Sequence, residues 1–262
     1  MAAHPRALVT GAGKRLGRAM ALCLAGRGFD VAVHYNTSSD AAEKVAEEIR
    51  GMGRRAAALG ADLLDQAATE RLVPAATEAL GGPVTALVNN ASIFEYDNLE
   101  SATAENWDRH LNSNLRAPFF LTQAFGRQCP EPVEDENGEP QAQGLVVNMI
   151  DMRVRKLTPE FATYTIAKMG LWALTRTSAQ ALAPKARVNA IGPGPTMQGA
   201  RQSADHFRRQ REATILGRGA DPEGITRALE YFLDARSVTG QLLCVDGGQH
   251  LVWQTADVLG IE

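Results

Sequence analysis

The sequence predicts an α/β fold of the Rossmann type, a doubly wound parallel sheet of seven strands in a single domain. Three observations carry that expectation. Short runs rich in Val, Ile, Leu and Ala alternate with helical stretches of ten or more residues. The first run empties into a glycine-rich turn, TGAGKRLG at residues 10–17. No internal repeat of solenoid period competes with the alternation.

In chain order, residues 6–9 (RALV) form a strand that runs into the glycine turn, and residues 15–28 (RLGRAMALCLAGRG) form a helix. Residues 30–35 (DVAVHY) are a second strand, followed by a well-capped amphipathic helix at 39–51 (SDAAEKVAEEIRG). Strand 55–59, helix 66–80, strand 84–89 and one long helix over 103–127 continue the pattern. Residues 129–143 (CPEPVEDENGEPQAQ) are polar, acidic and Pro-rich, but the alternation resumes at Gly144, so they read as a surface insertion and not a domain boundary. Residues 144–151 (GLVVNMID), short, β-branched and bounded by polar residues, are a buried strand that ends on an acid. Helix 159–182, strand 186–191, a Gly/Pro loop, a helical stretch at 204–213, helix 221–234 and strand 241–245 complete the domain, which spans 1–262.

Composition narrows the function classes. A chain of 262 residues with 45% apolar and 22% charged residues buries a sizeable core. Net charge is −3, and the longest basic cluster, RRQR at 208–211, is followed at once by Glu212, which excludes a phosphate-tracking nucleic-acid surface. The three cysteines, Cys23, Cys129 and Cys244, lack CxxC spacing and read as reduced thiols with no metal site. No run approaches the roughly 18 apolar residues of a membrane span, and the first strand starts too early for a signal peptide, so the expected location is the cytoplasm.

Ligands of such a sheet sit outside the carboxyl ends of the strands, where the strand order reverses. The glycine turn lets backbone N–H groups approach a pyrophosphate at a helix N-terminus. Strand two ends without the acid that takes a ribose 2'-hydroxyl; Asn36, Thr37, Ser38 and Ser39 offer uncharged donors, with Lys14 and Arg15 across the crevice. That pattern favours a 2'-phosphate, and so NADPH over NADH, although Ser38 or Ser39 serves equally to cap the next helix. Asn89 and Asn90 end strand four and Asp151 ends strand five. Thirteen residues on comes YTIAK, in which Tyr164 and Lys168 share one helix face. An ammonium beside a phenol is expected to lower the phenol's pKa from about 10 towards the working range. For Asp151, desolvation raises the pKa and nearby positive charge lowers it, a balance that geometry decides.

Together, TGAGKRLG, NNAS, Asn114 in HLNSN, YTIAK, GPGP at 192–195 and VTGQLLCVDGG at 238–248 resemble the short-chain dehydrogenase/reductase family over essentially the whole chain. That resemblance implies an NAD(P)-dependent enzyme, commonly a tetramer, with Asn114, Tyr164 and Lys168 in catalytic roles, Lys168 also holding the nicotinamide ribose and Asn114 organising a relay water. It implies a cofactor site formed by Gly11, Lys14, Arg15, Leu16, Gly17, Tyr35, Asn36, Thr37, Ser38, Asp62, Leu63, Asn90, Ala91, Ser92, Tyr164, Lys168, Pro193 and Gly194.

Two departures from the general family pattern, Arg15 where a glycine is usual and Asp151 where a serine is usual, are similar to pteridine reductases. Ser92 and Phe94 in NNASIF agree, at the place where those enzymes hold a flat pterin ring; Thr37 departs, standing where the best-known members have an arginine. The resemblance implies a small pterin or folate substrate bound by Arg15, Ser92, Phe94, Asp151, Tyr164, Pro195 and Met197, under a loop near 195–215. Reduction of a C=N bond needs a proton on ring nitrogen as hydride reaches carbon, and a carboxyl hydrogen-bonded to Tyr164 can feed it. Two alternatives stand beside this reading: a carbonyl or 3-oxoacyl thioester reductase of the same family, and a non-catalytic NADP-binding sensor. The tail from Trp253 to Glu262 extends past the last strand, and the family resemblance implies a homotetramer.

Overall fold

The computed structural model describes residues 4–199 and 202–254. Residues 200–201 of the expected substrate loop and the tail past residue 254 lie outside the described residues. The strands are β1 (Arg6–Val9), β2 (Asp30–Tyr35), β3 (Ala56–Gly60), β4 (Ala86–Asn89), β5 (Val133–Glu134), β6 (Pro140–Gln141), β7 (Gly144–Met149), β8 (Ala186–Pro193) and β9 (Leu242–Val245). The helices are α1 (Arg15–Gly26), α2 (Ser39–Gly51), α3 (Gln66–Leu80), α4 (Ala104–Leu111), α5 (Ala117–Gln128), α6 (Ala162–Leu182), α7 (Ala204–Glu212) and α8 (Pro222–Asp234). Seven strands form one parallel sheet in the order β3-β2-β1-β4-β7-β8-β9, the expected doubly wound fold.

Side chains of successive strand residues go to opposite faces, and here both faces are covered. Ala7, Val9, Val31, Val33 and Val147 pack with Met20 and Leu24 of α1, Ile49 of α2 and Phe232 of α8. The alternate residues Leu8, Ala32, Leu87, Val146 and Val188 pack with Leu72 of α3 and Leu121 and Phe125 of α5. The order reverses between β1 and β4, which opens the ligand crevice at their carboxyl ends.

Several elements differ from the sequence expectation: β4 starts at Ala86, β7 ends at Met149, β8 runs on to Pro193 and α6 starts at Ala162. Helix α1 stops at Gly26, because Gly28 adopts φ 88° and the N–H groups of Gly28 and Phe29 return to the oxygens of Ala25 and Leu24. Residues 129–143 hold a small antiparallel hairpin, β5 with β6, whose turn is fastened by Asp135 Oδ1 accepting from the N–H groups of Asn137 and Glu139. The long helix expected over 103–127 is broken by a π turn, Asn112–Arg116, between α4 and α5. Pro118 explains the break: it has no N–H for the oxygen of Asn114 four residues earlier, and its ring crowds that carbonyl. The register opens to a bond from Ala117 N–H to Asn112 O. Among the described residues no helix is long and apolar enough to cross a membrane.

Candidate active site

The glycine turn between β1 and α1 is folded tightly. Gly11 sits at φ 62°, and a Cβ on Gly17 would lie 2.2 Å from Gly11 O and 2.6 Å from Asn90 Nδ2, so only glycine permits this approach of helix and turn. The turn is locked to β4 across the switch point. Thr10 Oγ1 accepts from the N–H groups of Asn90 and Ala91, both at 2.9 Å, while Asn90 Nδ2 donates to Thr10 O at 2.8 Å. Gly11 N–H donates to His34 Nδ1 at 3.1 Å, so the buried His34 carries its proton on Nε2, 3.0 Å from Ala61 O. Burial lowers the pKa of His34 and keeps it in this neutral form. The N-terminus of α1 has no acidic residue in its first turn, leaving its N–H groups and the positive end of the helix dipole unopposed. These are the features a dinucleotide's pyrophosphate requires, and the residues present fit it.

At the tips of β2 and β3, Asn36 Nδ2 lies 3.4 Å from Asp62 Oδ1, which also accepts from Leu64 N–H at 3.0 Å. Ser38 occupies the N-cap position of α2 but makes no side-chain cap bond, so its hydroxyl is not tied to the helix. Tyr35 packs its ring against Gly60, and Leu63 is buried in the core beside α3. Lys14 and Arg15 are exposed on the turn. Arg15, in the left-handed region at φ 54°, donates through its guanidinium to Met197 O at 3.0 Å and Gln198 O at 2.8 Å. It thereby ties the glycine turn to the loop after β8, where Arg211 holds Pro195 O at 2.9 Å. Gly194 is pressed against Asp246, whose Cα a Cβ would meet at 2.6 Å, and its N–H donates to Val245 O at 3.0 Å, fixing the segment from Pro193 onwards.

The catalytic candidates converge at the mouths of β4 and β7. Asn114, fully buried on the π turn, brackets Ile93 by accepting its N–H at 2.9 Å and donating to its oxygen at 2.8 Å, which positions the loop carrying Ser92 and Phe94. Asp151 lies two residues past the end of β7 and is held from two sides. Its Oδ1 accepts from Arg153 N–H at 2.8 Å, capping the short 3-10 turn Met152–Arg155, and its Oδ2 accepts from the Tyr164 hydroxyl at 3.2 Å. Burial raises the pKa of Asp151, outweighing the Arg153 N–H and the charges of Arg153 and Lys168. Lys168, 2% exposed, donates to Met149 O at 2.8 Å, leaving two of its three N–H donors for a ligand.

The acidity of Tyr164 departs from the sequence expectation. Burial, with the Asp151 charge behind it, pushes the phenol well above its ordinary value. Lys168 does not reverse this, because Nζ lies 5.5 Å from the Tyr164 ring centre and bonds to Met149 O, and burial lowers its own pKa to about 8. All three shifts disfavour charge inside the site. Phe94 stacks on Phe161 with ring centres 4.5 Å apart and meets Tyr164 edge-on at 4.7 Å. The resulting geometry suits a planar ligand beside a hydrogen-bonded phenol and carboxyl pair.

Residues 11–250 match the protein-family model described as enoyl-(acyl carrier protein) reductase. The chain belongs to the short-chain dehydrogenase/reductase family. Among solved members, FolM alternative dihydrofolate reductase 1 from Brucella suis, in complex with NADP, is 43% identical with a TM-score of 0.90, over 98% of this chain and 100% of that one. The same protein from Brucella canis, also with NADP, matches at 43% identity and TM-score 0.90 over 98% of both chains. The 3-oxoacyl-[acyl-carrier-protein] reductase FabG of Staphylococcus epidermidis is 30% identical over 250 residues, 94% of this chain and 98% of that protein.

The candidate site also draws on residues that sequence reasoning passed over. Thr10 and His34 hold the glycine turn, while Phe161 stacks on Phe94 and has the Arg153 guanidinium 4.9 Å from its own ring centre. Pro118 was the available sign of the π turn that presents Asn114.

Proposed function

We propose that this protein is an NADPH-dependent reductase that transfers hydride to a C=N bond of a dihydropterin or dihydrofolate, with Asp151 and Tyr164 relaying the proton. The observation that carries the reading is the 3.2 Å pair of Tyr164 hydroxyl and Asp151 carboxyl, standing where a serine would suffice for a carbonyl. The 43% identity to NADP-bound FolM dihydrofolate reductase supports both cofactor and substrate class. Bound NADPH supplies the hydride.

The chain's own residues divide the remaining work. Gly11, Lys14, Arg15, Leu16 and Gly17 take the pyrophosphate end; Tyr35, Asn36, Thr37, Ser38, Asp62 and Leu63 surround the adenosine end. Asn90, Ala91, Ser92, Pro193 and Gly194 border the nicotinamide end, with the unused donors of Lys168 on the ribose. Phe94 provides the aromatic face for the substrate, and Arg15, Pro195 and Met197 close the pocket from the loop near 195–215. Tyr164, held protonated by burial, is the proton donor. Asp151, whose raised pKa allows it to hold a proton, replenishes Tyr164 or delivers to ring nitrogen directly. Asn114, by the π turn, orders the water that refills the pair.

NADPH oxidation with dihydrobiopterin, dihydromonapterin and dihydrofolate, run beside a ketone and a 3-oxoacyl thioester, tests the reading. Turnover of ketone alone overturns it. The FabG relative favours thioester reduction as the second reading, under which Asp151→Ser preserves or improves ketone reduction. Under the pterin reading the same substitution damages turnover. Gel filtration with light scattering tests a homotetramer, the assembly the family resemblance implies, and a fluorescent fusion tests the cytoplasmic location.

A further inference from the structure

Helix α6, which carries Tyr164 and Lys168, begins without a cap of its own. Its N-cap residue, Phe161, is in the left-handed region at φ 57° and has no side-chain acceptor. The first N–H groups of a helix need partners from elsewhere. Here one residue from another element supplies them. The oxygen of Asp97 accepts from Phe161 N–H at 2.7 Å and Ala162 N–H at 3.3 Å, and Asp97 Oδ1 accepts from Thr163 N–H at 3.2 Å. Asp97 Oδ2 accepts from the Thr163 hydroxyl. Its carboxylate is 1% exposed and faces the positive end of the α6 dipole.

The network extends past Thr163. His110, fully buried on α4 just ahead of the π turn, has Nδ1 2.6 Å from Thr163 Oγ1, and its Nε2 accepts from Glu95 N–H at 3.1 Å. The proton polarity is therefore fixed from end to end: Glu95 N–H to His110, His110 Nδ1–H to Thr163, Thr163 hydroxyl to Asp97. Burial lowers the pKa of His110 and favours the neutral tautomer that this order demands. Asp97 lies three residues beyond Phe94, Thr163 immediately precedes Tyr164, and His110 lies four residues before Asn114.

We propose that Asp97 is a positioning residue for the reduction: through Thr163 and His110 it fixes the Phe94 loop, the Tyr164 end of α6 and the Asn114 turn relative to one another. The proposal rests on Tyr164 as proton donor and not on the identity of the acceptor. Asp97→Ala keeps the backbone oxygen that accepts from Phe161 and Ala162 but removes the carboxylate that accepts from the Thr163 N–H and hydroxyl, and with it the end of the chain. Asp97→Asn keeps an oxygen for Thr163 N–H but presents N–H to the Thr163 hydroxyl, reversing the polarity that His110 and Glu95 impose.

Two measurements test it, one of them independent of substrate. Hydrogen exchange followed by mass spectrometry is expected to show residues 92–97 and 161–165 of Asp97→Ala exchanging at least tenfold faster together, with the sheet unchanged. Exchange rising in only one of those segments, or throughout the molecule, overturns the coupling. With whichever acceptor the wild-type protein reduces, pterin or carbonyl, kcat of Asp97→Ala is expected to fall at least tenfold. The solvent deuterium isotope effect should rise and the Kd for NADPH should stay within twofold. Asp97→Asn should restore most of the exchange protection while recovering only part of kcat. An unchanged kcat, or one lost in step with NADPH affinity, removes the positioning role. Wild-type failure on every pterin with turnover of a carbonyl overturns the substrate assignment alone, since both readouts remain measurable.

Discussion

Raising the pH through 8 is expected to discharge Lys168 in the free protein and to weaken capture of NADPH. Burial lowers this ammonium from 10.5 to about 8, against a partial restoring pull from the Asp151 charge. Because kcat/KM reports groups of the free enzyme, kcat/KM for NADPH should fall about fivefold between pH 8 and 9 and about tenfold more by pH 10. A lysine left at its ordinary value would give a flat profile to about pH 9.5. The assay is initial rate against limiting NADPH at constant ionic strength, with binary Kd from nicotinamide fluorescence. Lys168→Arg, which keeps its charge throughout, should abolish the decline whatever its absolute rate. A flat wild-type profile to pH 9.5 would refute the reasoning. Stability carries the opposite sign. Between about 8 and 10.5 the unfolded lysine binds a proton that the folded one has released, so this group stabilises the fold as pH rises, by about 3 kcal/mol across the whole window at about 1.4 kcal/mol per pH unit. The thiols of buried Cys129 and half-buried Cys23 and Cys244, raised from 9.0 to about 11, act the other way: unfolded thiols lose protons first, so stability falls from 9 to 11. Thermal melts should therefore peak between about pH 8 and 9, and Lys168→Met should erase the rising limb.

Three further outcomes are expected. Gly17→Ala, whose new methyl would stand 2.2 Å from Gly11 O, must open the cofactor turn, costing about 1–3 kcal/mol in urea melts and at least tenfold in NADPH affinity by fluorescence titration; unchanged affinity would place the cofactor elsewhere. Arg15→Ala releases the oxygens of Met197 and Gln198, so limited proteolysis within 195–215 should accelerate and substrate KM should rise severalfold with kcat less affected. Phe125→Ala, on the fully buried face of α5, should lose about 3–5 kcal/mol of stability while leaving KM for NADPH within twofold, because the packing it removes lies away from the carboxyl ends of the strands.

The sheet was legible because a parallel strand covered on both faces must be apolar at consecutive positions, and runs such as GLVVNM leave little alternative. The candidate site was legible where its residues fall at or just past strand ends: a glycine turn, Asn90 and Asp151 interrupt apolar runs at places where a core gains nothing from them. Helix spacing correctly brought Tyr164 and Lys168 together, yet predicted the wrong direction for the phenol. Spacing fixes proximity, whereas acidity follows from burial and from where the Lys168 N–H groups point, and both depend on strands β4 and β7 being in place. The π turn escaped notice for a different reason. Pro118 was visible, but its consequence appears only when its missing N–H is assigned to Asn114, four residues earlier, in a segment otherwise read as continuous helix.

The least legible part is the support behind the site. In EYDNLE, residues 95–100, Asp97 looks like any polar loop residue, and His110 and Thr163 are separated from it by 13 and 66 positions. No local pattern can join them, since each acquires a partner only after α4, α6 and the loop after β4 pack against one another. Once packed, all three are nearly or fully buried, where an unpaired polar group would be costly, so each must satisfy the next in a fixed order. The residues that touch a ligand sit where backbone topology makes them recognisable; those that hold them in register are chosen by tertiary packing. Reading a reductase site from sequence therefore recovers the chemistry before it recovers the geometry on which the chemistry depends.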